Sequence, residues 1–128
     1  MTGERRERLT RDHRLTSMLH FDAVKGAGTT FRGKHCLLVV LARAGEPTRF
    51  GFIASRKGVG DAVRRNRARR RLREIVRRRW PRLPESGYWI AVIPFRSAVT
   101  ASHQELATDL EHLLAATGAL APIGEGLH

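Results

Sequence analysis

The apolar positions along this chain change period several times, and each change predicts an element. From Ser17 to Lys25 they fall at Met18, Phe21 and Val24, one side of a short helix, with Thr16 as its cap and Gly26–Gly28 as its stop. Between Phe31 and Ala44 lies a strand whose central run, Cys36–Leu41, is nearly all apolar, as expected where both faces are covered. The turn Gly45-Glu46-Pro47 predicts a hairpin to a second strand, Arg49–Ser55. A glycine-bearing loop, Lys57–Gly60, leads to Asp61, which caps a long helix running to about Trp80 and stopping at Pro81. After the connector Pro81–Ser86, Tyr88–Ile93 is a third strand, ended by Pro94. Ser102-His103-Gln104-Glu105 has the form of a capping box, and Leu106, Leu110, Leu113 and Leu114 make an apolar stripe behind it.

The order helix, strand, strand, helix, strand, helix implies one sheet with helices packed on it, an α+β class. The 128 residues suit a single domain with its own core. Residues 1–14 read as a basic N-terminal arm, extended or mobile from Arg5 to Arg14. Residues 15–117 read as the folded domain, and 118–128, rich in Gly, Ala and Pro, as a flexible tail. There is no internal repeat. The single cysteine, Cys36, excludes an internal disulfide or a cysteine-based zinc site and reads as a small core residue. No apolar run is long enough to span a bilayer, so the expected location is the cytoplasm.

Charge sharpens this picture. Lys and Arg number 24 against 12 acids, for a net charge of +12, which points to a polyanionic partner. The excess is concentrated. Asp61–Trp80 holds ten arginines against Asp61 and Glu74, whereas everything after Arg96 is free of Lys and Arg and carries four acids. On a helical wheel Ala68, Leu72, Ile75 and Val76 share a narrow sector suited to packing on the sheet. Asn66, Arg67, Arg70, Arg73 and Arg77 lie opposite, with Arg71 and Arg78 along the edge; Arg65 falls near the apolar sector, beside a groove. Like charges at helical spacing repel, so such a face is tolerated where phosphates neutralise it.

These residues carry a family likeness. The stretch Ser55-Arg56-Lys57-Gly58-Val59-Gly60-Asp61-Ala62-Val63-Arg64-Arg65-Asn66-Arg67-Ala68-Arg69-Arg70-Arg71-Leu72-Arg73-Glu74 resembles the signature of the bacterial ribonuclease P protein subunit family. The wider resemblance runs from about Arg14 to Ala116 and includes the place of Phe21 in the first helix. It implies a two-layer α/β sandwich of the ribosomal protein S5 domain 2-like kind, in the order α-β-β-α-β-α, with a left-handed β-α-β crossover. It also implies a protein that binds the catalytic RNA subunit and the 5′ leader of precursor tRNA, broadening substrate use while the RNA removes the leader.

By the same resemblance Arg56, Lys57, Arg65, Asn66, Arg67, Arg69, Arg70 and Arg73 contact RNA, and Phe21, Lys25, Leu37 and Val39 line a leader-binding cleft. Lys25 and Val39 stand where aromatics are common in the family, so leader binding should lean on charge and shape more than on stacking, with Phe31 or His35 as candidate substitutes. No catalytic residue, no protein-bound metal or other cofactor, no membrane and no obligate protein partner is expected; Mg²⁺ belongs to the RNA active site.

Other chemistry is weaker. His13, His20, His35, His103, His112 and His128 show no metal-ligand spacing, and a His20–Asp22 acid–base pair is poorly aligned. Glu105, Asp109 and Glu111 read as the solvated face of the last helix. A ribosomal or ribosome-assembly protein of the same fold, and a stand-alone nuclease, are the competing functions.

Overall fold

The computed structural model describes residues 13–15 and 17–120, without the side chain of Met18. The elements are α1 (Met18–Ala27), β1 (Thr29–Arg32), β2 (Cys36–Pro47), β3 (Arg49–Phe52), α2 (Ala62–Arg79), β4 (Ser86–Pro94) and α3 (His103–Ala116), with 3-10 turns at Trp80–Arg82 and Arg96–Val99. The four strands form one sheet in the order β1-β2-β4-β3. The helices α2 and α3 pack on one face, and α1 lies across part of the other.

The α+β class holds, with one strand more than the periodicity predicts. The segment read as a single strand from Phe31 to Ala44 is a hairpin, β1 and β2, turning at Gly33. Asp109 of α3 makes that turn possible by accepting the backbone N–H groups of Lys34 and His35, both at 2.8 Å. The predicted hairpin between β2 and the Arg49 strand does not form. Instead β4 sits between them, antiparallel to β2 and parallel to β3, and α2 makes the crossover. The reason lies in β4 itself: Trp89 to Val92 are buried on both faces, so this strand needs a neighbour on each edge.

Alternation sorts the sheet's side chains. Cys36, Leu38, Val40, Phe50, Ile90 and Val92 join the larger core under α2 and α3, whereas Val39, Trp89 and Ala91 form a smaller one under α1. Ala68, Leu72, Ile75 and Val76 of α2 are all fully buried, as the wheel predicts, each contributing roughly 1.5–3 kcal/mol if its side chain is of Leu or Val size. Ser17 rather than Thr16 caps α1, accepting from the His20 N–H. Asp61 caps α2, and Ser102 with Glu105 closes a complete capping box on α3.

Both expected termini are tighter than their composition suggests. Arg14 bridges to Phe50 beside β3, and the Leu15 N–H donates to the Phe50 carbonyl at 2.9 Å, so the end of the arm extends the sheet edge. The rest of the arm, residues 1–12, lies outside the described residues. At the other end Gly118, with φ of +83°, turns the chain back so that Ala119 and Leu120 are buried. The expected flexible tail is thus packed through Leu120, and residues 121–128 lie outside the described residues.

Candidate nucleic-acid interface

The basic helix divides its arginines into two groups. Arg71 donates to the carbonyls of Ala98 (2.7 Å), Val99 and Ala101, and Arg67 reaches the Val99 carbonyl through Nε at 3.0 Å. Burial, and then the neighbouring Arg67, lower the Arg71 pKa. Farther along, Arg77 and Arg78 clasp Glu74 at 2.6 and 3.0 Å; the Arg77 hydrogen bond leads the effects that hold this exposed carboxyl at about 2. Arg79 and Arg82 meet Glu111 of α3 at 2.7 and 3.3 Å. Glu111 and Asp109 are therefore structural acids, and Glu105 is held by its cap; none is merely a solvated face.

The second group is unspent. Arg56, Lys57, Arg64 and Arg70 are exposed, and their side chains make no hydrogen bond or ion pair among the described residues. The loop bearing Arg56 and Lys57 is stiffened by Ser55, whose hydroxyl accepts the Gly58 N–H and whose carbonyl accepts that of the fully buried Val59. Arg65 is half-buried, and its Nε has no partner. Asn66 does not face outward as a free amide: its Oδ1 accepts from Arg69 at 2.6 Å and so orients that guanidinium.

Arg73 lies 5.4 Å from the Phe52 ring centre, and burial, followed by Arg14 and Arg69, lowers its pKa. Together with Arg14, Leu15, Phe21, Phe50, Gly51 and Phe52 it lines a cavity of about 160 Å³ at the β3 edge.

Of the RNA residues expected from sequence, the structure gathers Arg65, Asn66, Arg69 and Arg73 on the flank of α2, with Arg70 on its outer side and Arg56 and Lys57 on the preceding loop. Arg67 is exposed and gives only its Nε to the Val99 carbonyl. Of the cleft residues, Phe21 meets Arg73 at the cavity, Lys25 is exposed in the last turn of α1, and Leu37 is half-buried beside Ile93. Val39 does not line an open cleft. It is only 7% exposed, covered where Gly28 comes so close that a β-carbon there would stand 2.7 Å from it.

The proposed substitutes also fall elsewhere. Phe31 packs toward α2 and α3, on the opposite face, and His35 engages the Ser97 hydroxyl at 2.8 Å. Sequence reasoning missed Arg14 and Gly51 at the cavity and Ile93 beside Leu37; alternation through Trp89, Ala91 and Ile93 would have put the isoleucine of β4 on the α1 face.

His20 rests on Trp89, 4.7 Å between ring centres, and makes no hydrogen bond or ion pair with Asp22. Among the described residues no group of three or more His, Cys, Asp or Glu side chains sits together, and no helix is long and apolar enough to cross a membrane.

Comparison with known proteins gives consistent matches. The family model described as Ribonuclease P matches residues 9–118. The ribonuclease P protein component of Symbiobacterium thermophilum is 44% identical over 109 residues, covering 84% of this chain and 93% of that protein. That of Kocuria rhizophila is 35% identical over 103 residues, covering 80% and 89%. Among solved structures, the RNase P protein of Staphylococcus aureus superposes with a TM-score of 0.74 at 21% identity, covering 85% of this chain and 98% of that one. The RNase P protein of Thermotoga maritima gives 0.69 at 26%, covering 80% and 94%.

Proposed function

This chain belongs to the ribonuclease P protein family and is the protein subunit of that RNA-based endoribonuclease, and we propose that it works by holding two RNA segments at once. The catalytic RNA docks on the unspent arginines of α2 and its preceding loop. The 5′ leader of precursor tRNA enters between α1 and the sheet, past Phe21 and Leu37, with Lys25 at the rim. The protein contributes charge and position; the cleavage chemistry, with its Mg²⁺, belongs to the RNA, and the complex acts in the cytoplasm.

One observation carries this reading: the arginines of α2 are sorted by partner. Those near its C-terminal end pair with Glu74 and Glu111, Arg71 is taken up by three carbonyls, and Arg67 gives a carbonyl only its Nε. Arg64, Arg65, Arg69, Arg70 and Arg73, with Arg56 and Lys57, keep donors for phosphate oxygens. Arg73 and Phe21 border the same cavity, which supports a path for RNA from the helix to the α1 face. Positioning of this kind raises rate by fixing reacting groups in place, without a catalytic side chain.

The decisive experiment is cleavage of precursor tRNA by the cognate RNA at low Mg²⁺, with and without this protein. The expected result is faster cleavage with the protein and none by the protein alone. Equal rates with and without it would sink the proposal, and cleavage without RNA would make the chain a nuclease in its own right.

A further inference from the structure

On the α1 face, at the end of the sheet away from Leu37 and Ile93, Trp89 is 95% covered, yet its indole N–H has no hydrogen-bond partner among the described residues. Buried indole N–H groups ordinarily find an acceptor, so the orphan calls for an explanation. Three side chains surround the ring. His20, from the first turn of α1, lies 4.7 Å away between ring centres. The guanidinium carbons of Arg43 and Arg49 stand 4.5 and 5.9 Å from the indole centre. Strand register explains the gathering: Arg49 pairs directly with Trp89 across β3 and β4, and Arg43 lies two residues beyond Leu41, the Trp89 partner on β2.

The hydrogen-bonding inventory is one-sided. His20 Nδ1 and Arg49 Nε are buried and also lack partners. Arg49 spends one terminal nitrogen on the Arg14 carbonyl at 3.3 Å, and the Arg43 side chain makes no hydrogen bond or ion pair among the described residues. Indole and guanidinium nitrogens only donate, and imidazole can donate from Nδ1. The acid facing His20 is Glu46, which forms no ion pair with either arginine. Donors and positive charge therefore gather around one ring, with no acceptor bonded to them there among the described residues.

We infer that Trp89, Arg43, Arg49 and His20 form a binding site for a phosphate group. Guanidinium groups suit tetrahedral oxyanions because their planar donors engage two oxygens at once, and the indole N–H supplies a further donor at a fixed place. The occupant is a backbone phosphate of single-stranded RNA lying along the α1 face; free inorganic phosphate offers the same chemistry. The choice of RNA rests on the function proposed above, whereas the anion site does not.

The test uses the full chain labelled with ¹⁵N, in which the two indole N–H resonances are told apart by Trp89→Phe. Inorganic phosphate is titrated first, then a short single-stranded RNA. The expected result is a saturable shift of the Trp89 resonance by phosphate, weakened roughly tenfold in Arg43→Gln, with RNA moving the same resonance at lower concentration.

Arg43 is exposed and tied to nothing but the ring, so its variant should fold; His20→Gln is the second variant, expected to weaken phosphate binding as well. A Trp89 resonance unmoved by phosphate, or a titration that neither variant alters, overturns the site. A phosphate shift with no RNA shift overturns the RNA assignment. Should Glu46→Gln alone reproduce the phosphate-saturated Trp89 signal, Glu46 already meets these donors and the site is overturned. Stimulation of cleavage is scored separately, so a protein that stimulates cleavage but fails this titration loses only the site.

Discussion

The ring of Phe21 lies against the bare α-carbon of Gly51, so close that a β-carbon there would stand 2.5 Å from Cε1 and 2.7 Å from Cζ. The glycine at the centre of β3 thus sets how deeply α1 seats on the sheet and shapes the cavity shared with Arg73. Gly51→Ala must push Phe21 or Leu15 outward. The expected cost is about 1–3 kcal/mol in urea unfolding, typical of overpacking. If Phe21 also meets the leader, the variant loses affinity for precursor tRNA more than for mature tRNA. Equal losses for the two RNAs would confine Phe21 to the core.

Arg70 and Arg71 are neighbours in sequence, but Arg70 is exposed whereas Arg71 is held by three carbonyls. Arg70→Ala should leave unfolding unchanged while lowering the slope of log affinity for RNA against log salt by roughly 0.7–0.9, one phosphate contact. Arg71→Ala should do the reverse, costing about 2 kcal/mol because three carbonyls lose a charged donor, with little change in slope. Paired salt titrations and denaturation curves decide it; a matching slope change for both would mean the internal contacts give way to RNA.

Asp109 holds the β1–β2 turn and also darkens the chemistry of Cys36. Burial, then the Asp109 charge and its hydrogen bond, push the thiol up to about 12. Cys36 should resist alkylation at neutral pH until the protein unfolds. Asp109→Ala should lower stability by about 2 kcal/mol, since two backbone N–H groups lose their acceptor, and should speed thiol labelling. Rapid labelling of the unaltered protein under native conditions would contradict this.

His20 sets a pH dependence. Burial first, then Arg49, lower its pKa from the usual 6.5; Glu46 opposes them, and Arg43 lowers it a little further. The unfolded chain therefore binds the proton more readily, and the stability present above pH 6.5 is lost as pH falls through the folded value. A stability profile should decline on the acid side of 6.5, and His20→Gln should flatten that part of it. An unchanged profile would show that His20 is not held in its neutral form. Phosphate bound beside Trp89 should oppose the decline.

Much of the fold is legible along the chain. The caps at Asp61 and Ser102 and the four-residue stripe Ala68, Leu72, Ile75 and Val76 follow from local rules, because capping and helical periodicity involve residues a few positions apart. The candidate site was legible as a set of basic residue types on one helix, and the Ser55–Glu74 stretch sufficed to indicate the family. Less could be read of the sheet. The turn before Arg49 looks like a hairpin, but strand pairing is settled by β4, forty residues later, whose doubly buried run takes both edges.

By itself, then, the sequence determined the helices, their buried faces, the concentration of positive charge on α2 and the kinship with ribonuclease P proteins. Only the tertiary structure decided which charges remain available. Arg67 and Arg71 look as free as Arg70 on a wheel, but the carbonyls that bind them come from Ala98, Val99 and Ala101, and the acid that binds Arg79 and Arg82 comes from α3. The same holds for Trp89, whose neighbours arrive from α1, β2 and β3. A side chain's local pattern sets its direction, while its hydrogen-bond partners depend on chain brought near by folding, and that pairing separates arginines tied into the fold from those whose donors stay open.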